Sequence, residues 1–360
     1  MSKRKIQSRR RRRLELKQRL LVISLSLLLL LGLVFGVRFF VLRGTLITQS
    51  AKDAWVREDN YAYTQASVFL PNDQTAKQDD IFSFRQTLAE KLKTDSFEAP
   101  EGGSLYVDAY SGRQDVAVRT GRTAMTVKAL GVGGEYFLFH PLKLLSGSYI
   151  SERDFVSDRV VLDDELAWAL FGSLDVVGQS VTIGERDYPV VGVVSREGDF
   201  ASKAAYCDGP GMFMSFSAMD QISESKINCY ELVMPNPVKN YAVNTLTESF
   251  SPAGGKIIEN TGRFSFFAMC RVLGDFGKRS MNETGILYPY WENAARMVED
   301  HAALAMLLFI VFLLFPAGLL VGNLIYWSKK AVTDATDYVS EEIEKMVEEE
   351  KQKNYVPGGI

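Results

Sequence analysis

The chain has 360 residues, enough for one large or two ordinary soluble domains. It is 24% charged with a net charge of −3, yet its mean hydropathy is −0.03, which excludes an even spread of apolar residues. Residues 44–300 carry 24 Lys and Arg against 35 Asp and Glu, a net of −11. Acidity of that kind, without a basic stripe, excludes nucleic acid as a partner for this region.

Residues 1–19 form a basic segment: Lys3, Arg4, Lys5, the arginine run from Arg9 to Arg13, Lys17 and Arg19. Residues 20–37 (LLVISLSLLLLLGLVFGV) carry no charge, and 39–42 extend the apolar run beyond Arg38. A helix of roughly 20 residues at ~1.5 Å each crosses ~30 Å of hydrocarbon, so residues 20–42 predict a first membrane span. A cleaved signal peptide is the other reading, but its apolar core is usually only about 7–15 residues, and Thr48-Gln49-Ser50-Ala51 is a poor cleavage site. Residues 302–327 are a second uncharged stretch, followed by Lys329 and Lys330. Basic residues gather on the cytoplasmic side of membrane spans. Both termini are therefore expected in the cytoplasm of a plasma-membrane protein, with about 43–300 outside. The arginine run also anchors to anionic membrane lipid, at roughly 1 kcal/mol per basic residue near the surface.

Between the spans, residues 44–60 predict a helix continuing out of the membrane, with Ile47, Ala51 and Trp55 spaced by four. Residues 61–70 are strand-like up to Pro71-Asn72-Asp73. A helix over 79–94 turns Phe84, Leu88 and Leu92 inward, and strands at 105–110 and 123–130 follow Gly102-Gly103. This makes a first α+β layer. A short helix starts near Tyr136-Phe137, and 160–162 is a brief strand. Asp163-Asp164 then sit where a helix N-terminus favours negative charge, opening a helix over 165–171 that Gly172 stops. Residues 176–194 (VVGQSVTIGERDYPVVGVV) read as a hairpin around Gly184-Glu185-Arg186-Asp187, apolar on both faces. Strands at 212–216, 228–234 and 256–259 and helices at 217–222 and 238–250 complete a second layer. Cys207 and Cys229 precede or open adjacent strand-like runs and are the preferred disulfide pair, worth ~3 kcal/mol on the chain-entropy account. Three buried thiols are the equal alternative.

Pro289 suits the first position of a helix. Trp291, Ala295, Val298 and Ala302 then recur at spacings of four, three and four with no breaker before the second span. One helix over 289–327, about 39 residues and roughly 58 Å long, would serve as stalk and span together. The segment RSMNETGILYPYWENAAR at its start is either an interfacial aromatic belt or a docking surface built of Trp291, Glu292, Asn293 and Arg296. In the tail, residues 328–360, the positions Val332, Ala335, Val339, Ile343 and Met346 form an apolar stripe on an acidic helix. It reads as a cytoplasmic helix interface or as a solvated acidic tail.

Taken in order, Tyr136-Phe137, residues 142–147, Asp154, residues 160–162 and 167–172, then 177–183 and 188–194, resemble the MacB-type periplasmic core domain of MacB, LolC/LolE and FtsX-like ABC permeases. The resemblance is specific over about 134–194 and rests on element order over about 45–265. It implies an α+β, two-lobed extracytoplasmic core domain over 43–288, with an inserted lobe at about 150–210 that contains the hairpin packed on the 165–171 helix. It also implies a cytoplasmic ABC ATPase subunit as partner, and with it a second permease subunit and a hetero- or homo-oligomer. Gly147-Ser148 stands where the family commonly has Gly-Arg, and two spans stand where such permeases usually carry four.

The sequence carries no catalytic signature. GDFGKRS (274–280) lacks the spacing of a phosphate-binding loop, and there is no HExxH, GxSxG or cysteine pair at metal spacing. Ser223-Glu224-Ser225-Lys226 matches S-x-x-K without its companion motifs. His140, in an apolar run, reads as a packed residue. The chain is thus expected to be no enzyme, to hold no cofactor, and to be a membrane subunit that couples a separate ATPase to an external domain. The alternative is a membrane-anchored scaffold or sensor that binds envelope partners.

Overall fold

The computed structural model describes residues 3–56, 61–99, 101–121, 123–206, 211–250, 255–279, 282–283 and 285–353. The chain divides into two units, Met1–Arg38 with Ala305–Ile360, and Phe39–Leu304.

In the first unit, helix α1 (Lys3–Arg43) packs on the later part of helix α10 (Tyr290–Lys353). Gly32 and Gly36, one turn apart, lie on the contacting face. A Cβ at Gly32 would sit 3.4 Å from the backbone of Phe312 and Leu313, and one at Gly36 would sit 3.0 Å from the Phe309 ring. Phe35 stacks on Phe312 with centroids 5.8 Å apart. This is small-residue packing of the kind membrane helices use, where close backbone approach replaces the hydrophobic effect. Leu27, Leu30, Leu33 and Val37 stay exposed on α1, as lipid-facing side chains would be. Both helices are long and apolar enough to cross a membrane. The tail is not a separate element. With no Gly or Pro between Gly322 and Lys353, α10 runs on to Lys353.

In the second unit, the expected helix over 44–60 breaks up. α1 stops at Arg43, a 3-10 turn covers Ile47–Gln49, and α2 (Ala51–Trp55) is short. The turn has a physical cause: buried Gln65 donates its Nε2 to the Thr48 carbonyl at 2.9 Å, pulling the chain back onto the sheet.

The strands are β1 (Tyr63–Phe69), β2 (Val107–Arg119), β3 (Ala124–Gly134), β4 (Lys143–Gly147), β5 (Val160–Asp163), β6 (Ser180–Ile183), β7 (Arg186–Ser195), β8 (Gly211–Ser215), β9 (Cys229–Pro235) and β10 (Lys256–Glu259). They form one sheet in the order β10-β1-β9-β2-β3-β8-β5-β7-β4, with β6 pairing both β2 and β7. The pairs β2–β3, β3–β8, β8–β5, β5–β7, β7–β6 and β6–β2 close a circuit of six strands. The inserted lobe expected at about 150–210 thus supplies three strands of this ring, and the β2–β3 hairpin supplies the far wall. The hairpin is much longer than the two short strands expected from sequence, pairing Ala109 with Gly134 and Arg119 with Ala124 at its ends.

Alternation along these strands fills the ring with Val116, Val118, Val127, Leu162, Val181, Ile183, Tyr188, Val190 and Met214. Helix α5 (Asp164–Phe171) closes it with Leu166 and Leu170, packed on β7 as the family resemblance implies. Side chains of this size bury roughly 1.5–3 kcal/mol each, so the ring supplies its own stability. Gly192 and Gly147 permit the tight return of β4 onto β7. A Cβ on Gly192 would collide with the Ser148 carbonyl, and Gly147 sits at φ 75° against Val191.

Outside the ring, α3 (Gln78–Thr94) and α8 (Tyr241–Ser249) cover one face of β1, β9 and β2 through Ile81, Phe84, Leu88, Leu92 and Leu246. The opposite face meets α2, α4 (Tyr136–Phe139) and the first turns of α10. The remaining helices are α6 (Phe200–Ala205), α7 (Phe216–Ile222) and α9 (Phe266–Gly274). The small hairpin β11–β12 (Asn282–Glu283, Ile286–Leu287) and α9 were not anticipated from sequence.

Candidate functional site

β1 and β9 are buried on both faces, yet the face toward α10 carries Gln65, Ser67 and Glu231 among Tyr63, Phe69, Cys229 and Val233. Buried polar atoms need partners, and a buried charge needs them most. Ser67 Oγ donates to Glu231 at 3.2 Å, and Asn260 Nδ2 donates to Ser67 at 2.7 Å. The other Glu231 oxygen meets His140 Nε2. His140 is fully buried, stacked on Tyr136 at 4.4 Å and tilted against Trp291 at the same distance.

From Trp291, α10 enters the domain. Ala295, Val298 and Ala302 are fully buried on the face the spacing predicted, and their small size brings the helix close to its neighbours. Around them is an ionic network. Arg263 donates to Glu292 at 2.5 Å and to Glu299 at 2.7 Å. Arg296 donates to Glu292 at 3.2 Å and lies over the Tyr288 ring at 3.7 Å. Arg279 reaches Asp300 at 2.6 Å and also Glu299. Three guanidinium groups thus face three carboxylates. Burial works against the Arg263 charge, but Glu292 and Glu299 more than offset it and hold its pKa above the ordinary arginine value.

A second connection runs from the ring to α10. Asp163, at the end of β5, accepts from the N–H groups of Leu166 and Gly211, each at 2.6 Å, and from Arg196 at 2.6 Å. Burial pushes its pKa up and Arg196 pulls it back only in part. The next residue, Glu197, accepts from Tyr290 at 2.9 Å, and burial pushes its pKa up too. Phe200 meets His301 edge-on at 5.4 Å. The chain after β7, through Glu197 in the loop and Phe200 at the start of α6, therefore grips α10 at both its first residue and the brink of the apolar run.

The expected docking residues are drawn inward. Trp291, Glu292 and Arg296 are buried against their own chain, and Asn293 donates to the Tyr288 carbonyl at 3.0 Å. They act as the internal seat of α10. Arg263 and Arg279, which the sequence places in the same cluster, complete that seat together with Glu299 and Asp300, which the sequence reading missed; the carboxylates on an otherwise apolar helix face were the available signal. Val332, Ala335, Val339, Ile343 and Met346 lie exposed along the far end of α10. Cys229 is buried and Cys270 exposed, both free; Cys207 lies outside the described residues. Burial, then the nearby Glu231 and Glu292, push the Cys229 thiol well above its ordinary pKa. A cavity of about 290 Å³ opens beside Cys229, Phe213 and Trp291. Among the described residues no group of three or more His, Cys, Asp or Glu is placed to hold a metal ion. What this arrangement does chemically is tie a helix to a sheet by balanced charge.

The molecule is an α+β ectodomain joined to apolar helices that can span a membrane, a class of membrane-anchored extracytoplasmic protein. The MacB-like periplasmic core domain matches residues 26–245, more than half of the chain, and the chain belongs to that family. Over 128 residues it is 27% identical to the macrolide export ATP-binding/permease protein MacB 2 of Aeromonas hydrophila, a match covering 33% of this chain and 19% of that protein. The MacB protein of Neisseria gonorrhoeae is 32% identical over 77 residues, covering 21% and 12% of the two chains. The match thus spans about a fifth or less of these relatives' length. Among solved structures, the periplasmic region of MacB from Actinobacillus actinomycetemcomitans aligns with a TM-score of 0.40 at 19% identity, over 55% of this chain and 89% of that one. The extracellular domain of the noncanonic ABC-type transporter YknZ from Gram-positive bacteria aligns with a TM-score of 0.37 at 13% identity, over 55% and 100%.

Proposed function

We propose that this chain is a non-catalytic membrane subunit of a MacB-like ABC system, coupling a separate cytoplasmic ATPase to the ectodomain. Both termini lie in the cytoplasm, as the basic residues before the first span and Lys329 and Lys330 after the second argue. The observation that carries the reading is α10. Its first turns are held by Arg263, Arg279, Glu197 and Tyr288, and its sequence from Ala302 on is the apolar run of a membrane span. A displacement of the helix along its axis would have to break buried ion pairs or carry the domain with it. Breaking such pairs costs about 3–5 kcal/mol, so the domain moves.

In this reading the stripe from Val332 to Met346 is the cytoplasmic contact for the ATPase or a second permease subunit, within a hetero- or homo-oligomer. The curated relatives are named as export ATP-binding/permease proteins, which supports an ABC ATPase as the partner. Affinity capture of the full chain after mild extraction tests this. An ABC ATPase should accompany it and be lost when Val339 and Ile343 are both replaced by Asp. A chain that purifies with no ATPase under those conditions would contradict the proposal.

A further inference from the structure

Helix α9 lies between two anchored arginines and exposes most of its own surface. Arg263, two residues before its N-cap Ser265, is paired with Glu292 and Glu299, and Arg279, beyond its C-terminus, is paired with Glu299 and Asp300. These pairs hold the chain on either side of α9 against α10 at residues 292–300. At ~1.5 Å per residue, Asp300 lies only ~3 Å along the axis from Ala302, where the 26 uncharged residues begin. The chain flanking α9 is therefore held within about a turn of where the apolar run begins, the level a membrane border would take.

The surface of α9 matches that level. Met269 is buried, whereas Phe266 and Phe267 are 55% and 79% exposed and Phe276 is 59% exposed. Two adjacent exposed phenylalanines on a nine-residue helix, with a third two residues beyond its end, are unusual for a surface in contact with water alone. Across α6, the exposed Phe200 sits on His301 at the same level, and Leu304 opens the exposed side of the apolar run. The charge pattern agrees as well. Between residues 262 and 279 there are four basic residues and a single acid, Asp275; Arg263 and Arg279 are taken up by the ion pairs, and Arg271 and Lys278 are exposed. Apolar aromatics beside a few cations are the make-up of a helix that lies in the plane of a lipid interface.

We infer that α9 is an interfacial helix, laying Phe266, Phe267 and Phe276 into the membrane surface on the ectodomain side, with Arg271 and Lys278 at the headgroups. The inference rests on α10 spanning the membrane and is independent of any ATPase.

Cys270 lies three and four residues from Phe267 and Phe266, on the same exposed face, and is a free thiol. A nitroxide attached there, in the full chain carrying Cys207→Ser, reports immersion without altering the helix. The chain is placed one per nanodisc of phosphatidylcholine and phosphatidylglycerol at about three to one, and collision with oxygen and with a water-soluble nickel chelate is compared. A label at the fully exposed Phe155 (F155C, with Cys270→Ser) is the aqueous reference. The oxygen-to-nickel accessibility ratio at Cys270 should exceed the reference by at least about threefold, as expected for a site some 5–10 Å into the interface. It should fall toward the reference when Phe266 and Phe267 are both changed to Ser. A ratio equal to the reference in the unaltered helix would place α9 in water. Exclusion of both reagents would mean that protein covers the helix. Either result overturns the inference.

Discussion

The six-strand ring and the seat of α10 belong to the same sheet but are stabilised differently. Inside the ring, valines, leucines and methionines fill the space, and charge appears only at the rim, where Asp163 meets Arg196. At the seat, His140, Glu231, Arg263, Glu292, Arg296 and Glu299 are all buried within a few turns of one another. An apolar core tolerates any filling of similar volume and shape. A buried ionic cluster is different. It contributes little over a well-packed apolar substitute, yet removing one member leaves its partners uncompensated. The ring is thus built for stability, and the seat for a single position of one helix.

The sharpest way to break this comparison is to remove one charge. Arg263→Ala should destabilise the domain by about 3–5 kcal/mol, because Glu292 and Glu299 would be left buried and unpaired. Denaturant unfolding in detergent measures it, and Glu292→Ala added to Arg263→Ala should cost less than the two single changes summed. Near-isosteric changes sharpen the contrast. Leu162→Met in the ring should cost less than about 1.5 kcal/mol. Glu292→Gln keeps the volume but removes the charge between Arg263 and Arg296, and should cost clearly more than Leu162→Met in the same assay.

The strands and helices of the ring were legible because alternation and caps are local: Asp163 before Asp164-Glu165, Gly172 after Phe171, Gly184 in the hairpin turn. The seat was only half legible. The stripe Trp291, Ala295, Val298, Ala302 showed which face of α10 is buried, but apart from Arg296, one turn from Glu292, the arginines that Glu292, Glu299 and Asp300 meet lie about 20 to 36 residues away in sequence. No local window contains those distant partners, and so residues that looked fit for an outside partner are buried against the chain itself. Gly32 and Gly36 were legible as a spacing of four and passed unread. Helix α9 had no inward face to announce it beyond Met269. The continuation of α10 to Lys353 followed from the absence of breakers.

Smaller effects probe the link between ring and seat. The Glu197 pKa is raised in the folded state by burial, so the folded chain binds a proton that the unfolded chain releases as pH rises above the ordinary glutamate value. Stability therefore falls as pH climbs from that value through the folded-state pKa. Glu197→Gln, which retains an acceptor for Tyr290, should raise the melting temperature at neutral pH, with the gain vanishing in acid where the native carboxyl is already protonated. Smallest of all, Trp168→Ala on the exposed side of α5 should change stability by no more than about 0.5 kcal/mol.

The central claim is that α10, from Tyr290 to the edge of the membrane, is structurally a part of the ectodomain. Hydrogen exchange of the full chain in nanodiscs tests it most directly. Amides at residues 294–304 should exchange as slowly as those of β9, opening only when the sheet itself opens, and Arg263→Ala should release them while β5 and β7 stay protected. Fast exchange across 294–304 in the unaltered chain, with β9 still protected, would mean that the helix stands free of the domain, and the account would be wrong.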